Sequence, residues 1–149
     1  MMFNYKIRLA KEKDFISILS LIKELAKFEK SSEKVTNTLE QIIKEKDFFK
    51  SFVVEKDGKE IIGFALFYFV YYTWVGKSLY LDDLYVKEQY RGNKIGSKLL
   101  EKVINFGKDN NCKRIRWQVL NWNKPAIEFY KKIGVKLDNE WINCDLENF

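Results

Sequence analysis

Two carboxylates stand side by side, Asp82 and Asp83, inside the otherwise apolar run "KSLYLDDLYV". Burying them costs free energy unless they are paired or used. As ordinary carboxylates with a pKa near 3.9, they are weak bases against an amine near 10.4. Their fitting work is to anchor an ammonium group and steer its proton to water. A surface ion pair is the competing reading. Shortly after comes "QYRGNKIGSKLL", Gln89 to Leu100, a glycine-containing turn that leads into an apolar-faced segment. The start of a helix presents unpaired N–H groups and a positive dipole end, so such a turn can hold a phosphate. The Walker loop is excluded, because Gly92 and Gly96 enclose three residues and Ser97 precedes Lys98. The dinucleotide fingerprint G-x-G-x-x-G fails too. Lys94 stands where a glycine would be easiest, but backbone amides do the binding, so Lys94 keeps its own N–H and adds a cation. An ordinary charged strand-to-helix turn is the alternative. A third chemical group is Tyr130 in "NWNKPAIEFYKKIG", a phenol able to act as an acid or simply to pack on its helix.

What is missing narrows the chemistry. The chain has no histidine, so the usual base near neutral pH is absent. The two cysteines, Cys112 and Cys144, have no CxxC spacing, so no metal is expected. Neither is expected to act as a nucleophile.

These groups need elements to place them. "YKIRL" alternates and predicts a strand over residues 5–9. From Phe15 the apolar residues Phe15, Ile18, Leu19, Ile22 and Leu25 recur at helical spacing, with Glu12 and Asp14 suited to the first turn. A second helix is predicted in "TNTLEQIIKE", with Asn37 and Glu40 as a capping box. "SFVVE" and "EIIGFALFYFVYY" flank "KDGK" and predict a hairpin turning at Asp57-Gly58. In the next strand, strict alternation puts Leu79, Leu81, Asp83 and Tyr85 on one face, and Tyr80, Asp82, Leu84 and Val86 on the other. Only a bulge would turn both aspartates the same way. The helix after Gly92 is expected to bury Ile95, Leu99, Val103 and Phe106. "KRIRWQVL" and "WINCDL" are expected strands around a short helix that has Pro125 in its first turn and Gly134 past its end. The order predicts a mixed α/β fold, an antiparallel meander joined to a βαβ unit, in a single domain over 1–149.

At 149 residues with 46% hydrophobic residues, the chain can build one core and is too apolar for disorder. The formal charge of +6 would suit nucleic acid, yet the lysines are mixed with glutamates and form no basic block. No recognition helix, zinc motif or RNA-binding motif is present either. The start lacks a signal-peptide run, and the longest apolar stretch falls short of the roughly 20 residues of a membrane helix. A soluble, cytoplasmic protein is expected, with neither nucleic acid nor membrane as partner.

Taken together, Arg91, Lys94 and Gly96 followed by Asn123, Ala126, Tyr130 and Gly134 resemble the two marks of the GNAT superfamily of acetyl-CoA-dependent N-acetyltransferases. Lys94 departs from the usual glycine. "LIKELAKFE", "FALFYFVYYTWVGKSLYLDDLYV", "YRGNKIGS" and "WNKPAIEFYKKIG" resemble the diamine (spermidine/spermine) and thialysine branch. The resemblance covers nearly the whole chain and weakens after Gly134. It implies a GNAT-like fold, a mostly antiparallel sheet flanked by helices, and acetyl-CoA as co-substrate. Leu84, Tyr85 and Val86 would meet pantetheine. Arg91, Gly92, Asn93, Lys94, Ile95, Gly96 and Ser97 would hold the pyrophosphate, with Asn123, Lys124, Pro125 and Ala126 as further contacts. Tyr130 falls on the proton donor. Acceptor contacts fall on Phe28, Glu29, Asp82, the stretch Arg116-Trp117-Gln118 and, approximately, Glu140. Trp74 and Asp83 are added from the residues themselves. Asp82 replaces the family's usual glutamate, which shortens its reach by one methylene. The implied function is transfer of acetyl to a small cationic amine, by an enzyme expected to be a homodimer. An acetyl-CoA sensor without turnover and a basic nucleic-acid-binding module are the alternatives.

Overall fold

The computed structural model describes residues 3–149. Its contacts group into two compact units, one through Gln118 and one over Val119–Phe149.

The first unit is a five-stranded sheet in the order β1-β2-β3-β4-β5: Tyr5–Leu9, Lys50–Lys56, Glu60–Tyr72, Gly76–Val86 and Ile115–Arg116. The first four strands pair antiparallel and β5 runs parallel to β4. Helix α1 (Phe15–Phe28) and the short α2 (Leu39–Lys44) lie between β1 and β2 in the chain. Helix α3 (Ile95–Asp109) is the crossover from β4 to β5. The architecture is the expected mixed α/β sheet flanked by helices.

Each sheet face has its own helix. On one, Phe15, Ile18 and Leu21 of α1 and Ile42 of α2 pack with Val53, Phe64 and Tyr85. Leu21 is fully buried, although the helical spacing had singled out its neighbours Leu19, Ile22 and Leu25, which pack around this cluster. On the other face, Ile95, Leu99 and Val103 of α3 are buried as expected, and the Phe106 ring sits 5.0 Å from Phe67. Gly107 lets α3 come close. A Cβ there would lie 3.0 Å from Ile115 Cδ1 and 3.3 Å from Leu79 Cδ1.

The β2–β3 turn is as predicted, with Asp57 (φ 51°) and Gly58 (φ 69°) both left-handed and Lys59 N–H bonded to Lys56 O at 2.9 Å. The cap of α2 lies one residue beyond the predicted Asn37. Thr38 Oγ1 accepts from Gln41 N–H at 3.1 Å, while Asn37 Oδ1 accepts the Thr38 N–H. Arg8 ties three elements together. Its guanidinium donates to both oxygens of Asp14 (2.7 and 2.9 Å) and to Glu55 (2.8 Å), and Asp14 also takes the Lys11 N–H.

Two expected strands fall short. "KRIRWQVL" pairs only at Ile115 and Arg116, opposite Leu79 and Tyr80. Among the described residues, "WINCDL" forms no strand. Its alternation supplies a potential apolar face but no ladder, and Trp141 (73% exposed) and Ile142 (86%) stay in solvent. The second unit contains α4 (Lys124–Lys132), capped by Asn123 Oδ1 on Ala126 N–H at 3.4 Å. Pro125 lies in its first turn, and Gly134 (φ 84°) lies just past its end.

Candidate active site

Strict alternation along β4 fails at the aspartates. Leu66 pairs with Asp83 but the next residue, Phe67, pairs with Leu81, so Asp82 is an extra residue in a bulge. Before it, Leu79 and Leu81 face α3 opposite Phe69 and Phe67. After it, Asp83 and Tyr85 face α1 opposite Leu66 and Phe64. The separation of Asp83 from Asp82 onto opposite faces, expected from a regular strand, is thereby corrected. Both carboxylates reach the α1 side, where Glu29 caps the C-terminal end of α1.

The electrostatics show the three acids in one neighbourhood. Asp83 is pushed up to about 7 by burial, then by the charges of Asp82 and Glu29. Burial raises Glu29, with Asp82 adding to it. Asp82 sits exposed at the rim but is desolvated enough by its surroundings to be raised, and a hydrogen bond from Tyr68 opposes the rise. Tyr68 is itself pushed up to about 12 by burial and by the Asp82 charge, and its ring stacks on Tyr80 at 5.7 Å. Tyr68 and Tyr80 were not singled out from sequence. Register was the available signal, since pairing β3 with β4 puts Tyr68 opposite Tyr80.

Beyond Tyr80 the sheet opens, because β5 pairs with β4 only at Leu79 and Tyr80. Lys87 N–H bonds Ile62 O of β3. Alternation then turns the backbone groups of Tyr85 toward β3 and those of Leu84 and Val86 to the side that β5 leaves. Arg91 Nε donates to Val86 O at 2.9 Å, and its guanidinium lies over the rings of Tyr85 (5.3 Å) and Phe28 (5.7 Å). The Tyr85 side chain is core, with its hydroxyl donating to Glu24 at 3.1 Å.

The turn before α3 has left-handed residues at Gly92 (φ 85°) and at Lys94 (φ 59°, ψ 17°), the N-cap. Asn93 Nδ2 braces it on Tyr90 O at 3.1 Å. The first helical bond is Lys98 N–H to Lys94 O, and no side chain caps the helix. The N–H groups of Ile95, Gly96 and Ser97 are therefore left for another acceptor. The space where a Cβ would stand at Gly92 and Gly96 is open. An anionic group fits this donor set.

The remaining predicted residues are placed as follows. Trp74 is 82% exposed at the β3–β4 hairpin tip. Arg116 lies in β5, followed by Trp117 and Gln118. Asn123, Lys124, Pro125, Ala126, Tyr130 and Glu140 belong to the second unit. There the Tyr130 phenol is raised by burial, and Glu140 is exposed with its N–H on Asp138. Among the described residues, no group of three or more His, Cys, Asp or Glu is arranged to hold a metal.

Residues 15–135 match the Acetyltransferase (GNAT) family. The chain belongs to the GNAT acetyltransferase family. It is similar to thialysine N-epsilon-acetyltransferase of Sus scrofa, 41% identical over 141 residues, covering 87% of this chain and 83% of the relative. It is also similar to spermidine/spermine N(1)-acetyltransferase-like protein 1 of Homo sapiens, 32% identical over 87% of this chain but only 20% of that longer protein. Among solved structures, it shares its fold with an aminoglycoside acetyltransferase from an uncultured soil metagenomic sample in complex with trehalose (TM-score 0.79, 19% identity, 97% of each chain). The aminoglycoside N-acetyltransferase AAC(6')-Iy, solved with CoA, is a second such GNAT fold (TM-score 0.77, 16% identity, 99% and 98% covered).

Proposed function

We propose that residues 1–149 form one acetyltransferase domain that moves the acetyl group of acetyl-CoA directly to a primary amine of a small cationic acceptor, a diamine, polyamine or thialysine-like amine, within a ternary complex. The observation that carries this reading is the β4 bulge. It gathers Asp82, Asp83 and Glu29 on one side of a strand whose opposite edge, at Leu84 and Val86, offers backbone groups. In a chain of net charge +6, that local acid cluster is what attracts a cation.

Acetyl-CoA, when bound, supplies the thioester that a neutral amine attacks. The amides of Leu84 and Val86 suit an extended pantetheine arm, and the uncapped start of α3 from Gly92 to Ser97, with Lys94 as an added cation, suits the pyrophosphate. Asp82 receives the acceptor's ammonium and passes its proton toward water, which leaves the amine neutral. Tyr130 returns a proton to the departing thiolate. At ordinary pKa values, about 10 against about 8.5, that donation is uphill by roughly 2 kcal/mol. The proposal for Tyr130 rests on the pattern Asn123, Ala126, Tyr130, Gly134. The reading includes a cytoplasmic homodimer that takes neither nucleic acid nor membrane. The exposed hairpin-tip side chains Tyr71 and Trp74 are the natural contact, and sedimentation of the purified chain tests it.

Asp82→Asn keeps the shape and removes the charge. It is expected to raise KM for the acceptor far more than KM for acetyl-CoA, and raised ionic strength should partly mimic it. Wild type and variant are compared by thiol release with putrescine, spermidine and thialysine at two salt concentrations. Unchanged acceptor KM and rate for every amine would remove Asp82 from the acceptor site. Acetyl-CoA binding with no transfer to any amine would instead indicate a sensor.

A further inference from the structure

The turn that offers its amides to a pyrophosphate is poorly suited to hold its own shape. Gly92 and Lys94 are both left-handed (φ 85° and 59°), and the first helical bond of α3 begins only at Lys94 O. A free turn of this kind samples many shapes, most of which scatter the N–H groups of Ile95, Gly96 and Ser97. The brace has to come from outside the turn.

Tyr90, two residues before Gly92, supplies it. Its carbonyl accepts from Asn93 Nδ2 at 3.1 Å, across the base of the turn. Its N–H bonds Lys87 O at 3.0 Å, and Lys87 N–H bonds Ile62 O of β3 at 2.9 Å. The ring is anchored separately. Lys56 Nζ lies over it at 5.2 Å, Phe3 meets it edge-on at 5.2 Å, and the hydroxyl donates to Glu60 Oε2 at 3.4 Å. Lys56 is fixed in turn, with its ammonium 3.8 Å from Glu60 Oε2 and 5.8 Å from the Phe3 ring. A hydrogen bond with the Tyr90 hydroxyl is the foremost cause that raises the Lys56 pKa. A cation held over two rings and beside a carboxylate fixes the orientation of all four groups.

Lys56 and Glu60 flank the Asp57-Gly58 turn at the end of the β2–β3 hairpin. Their link to the α3 turn runs through Tyr90 and Asn93. The neighbouring Arg91 side chain is committed to Val86 O and to the rings of Tyr85 and Phe28. The hairpin end therefore acts as a bracket for a loop far from it in sequence.

We infer that Tyr90 is a positioning residue for the coenzyme: braced by Lys56, Glu60 and Phe3, it sets, through Asn93, the shape in which the turn from Gly92 to Ser97 takes the pyrophosphate. This inference rests on the pyrophosphate site proposed above. A ring that only packed would stabilise the hairpin and affect every ligand alike.

The test compares acetyl-CoA with S-acetylpantetheine, which keeps the thioester and the pantetheine arm but has no pyrophosphate or adenosine. Calorimetry gives the affinity for acetyl-CoA, and displacement gives that for S-acetylpantetheine. The full-length wild type, Tyr90→Ala, Tyr90→Phe and Lys56→Met are compared, with circular dichroism as the folding control. The wild type is expected to favour acetyl-CoA by about a hundredfold or more. Tyr90→Ala should weaken acetyl-CoA binding by about tenfold, with S-acetylpantetheine changed less than about twofold. Tyr90→Phe, which keeps the ring beneath Lys56, should recover most of the loss. A folded Tyr90→Ala that keeps the wild-type ratio of affinities, or that weakens both ligands equally, overturns the inference and leaves the pyrophosphate site standing. If Tyr90→Ala does not fold, Lys56→Met is read by the same criteria. A wild type that binds both ligands equally overturns the pyrophosphate site and this inference together.

Discussion

Asp83 makes stability fall as pH rises, and the size of the effect follows from its surroundings. The carboxyl is pushed up to about 7 in the fold, against about 3.9 in an unfolded chain. Between those values the native state holds a proton that the unfolded state has released, so stability decreases with pH across the window. A gap of about three pH units at 1.36 kcal/mol each gives about 4 kcal/mol in all. About 1.5 kcal/mol of that is lost by pH 5, and about 2.5 kcal/mol goes between pH 5 and pH 8. Asp83→Asn keeps the size and a polar head but cannot ionise. Its stability relative to wild type should therefore be about 2.5 kcal/mol more favourable at pH 8 than at pH 5. Urea unfolding followed by far-UV circular dichroism at the two pH values measures this difference directly. Effects of the substitution on packing cancel, because they are present at both. If the difference between the two chains is the same at pH 5 and pH 8, Asp83 is ionised throughout. The acid cluster would then be more open to water than its burial indicates.

Three further outcomes are expected. Asp14 is held low, chiefly by the Arg8 hydrogen bonds, so its contribution is present above about pH 4 and is lost as pH falls through its lowered native value; Asp14→Asn should cost about 3 kcal/mol at pH 7 and flatten acid unfolding, read from urea midpoints at pH 7 and pH 3. Tyr130→Phe should keep coenzyme affinity and slow single-turnover transfer by about 10²–10⁴-fold, and a variant within a factor of two of wild type would show that water or another group protonates the thiolate. Lys94→Gly combines opposed effects on the fold. It relieves about 1–2 kcal/mol of left-handed strain and adds about 0.5–1 kcal/mol of unfolded-state entropy. Melting should therefore shift by only a few degrees, while acetyl-CoA affinity measured at low salt drops by about 1 kcal/mol; equal affinity would remove the electrostatic role of Lys94.

Local rules made the meander and the helices legible. Asp57-Gly58 announced its turn, Pro125 and Gly134 bracketed α4, and the helical spacing from Ile95 to Phe106 marked the buried face of α3. The loop at Lys94 was legible as a place that wants glycine, and its left-handed backbone is the physical reason. Less legible was anything set by register between strands. Nothing in "KSLYLDDLYV" alone says that Asp82 is an extra residue; the mismatch exists only once β3 lies alongside. The roles of Tyr68 and Tyr80 depend on that same pairing. "KRIRWQVL" and "WINCDL" carry strand-like alternation, but a strand needs a hydrogen-bonding neighbour, and alternation cannot supply one.

The position of β1 has a consequence during synthesis. Tyr5–Leu9 is made before β2, its strand partner among the described residues, with Tyr5 opposite Lys56. At about 5–20 residues per second, roughly 2–10 s pass before that partner has been translated. In that interval α1 can form but has no sheet on which to lay Phe15, Ile18 and Leu21. The Arg8 clamp cannot close either, because Glu55 does not yet exist. The nascent chain must therefore carry its first strand and an unburied helix face past the point of synthesis.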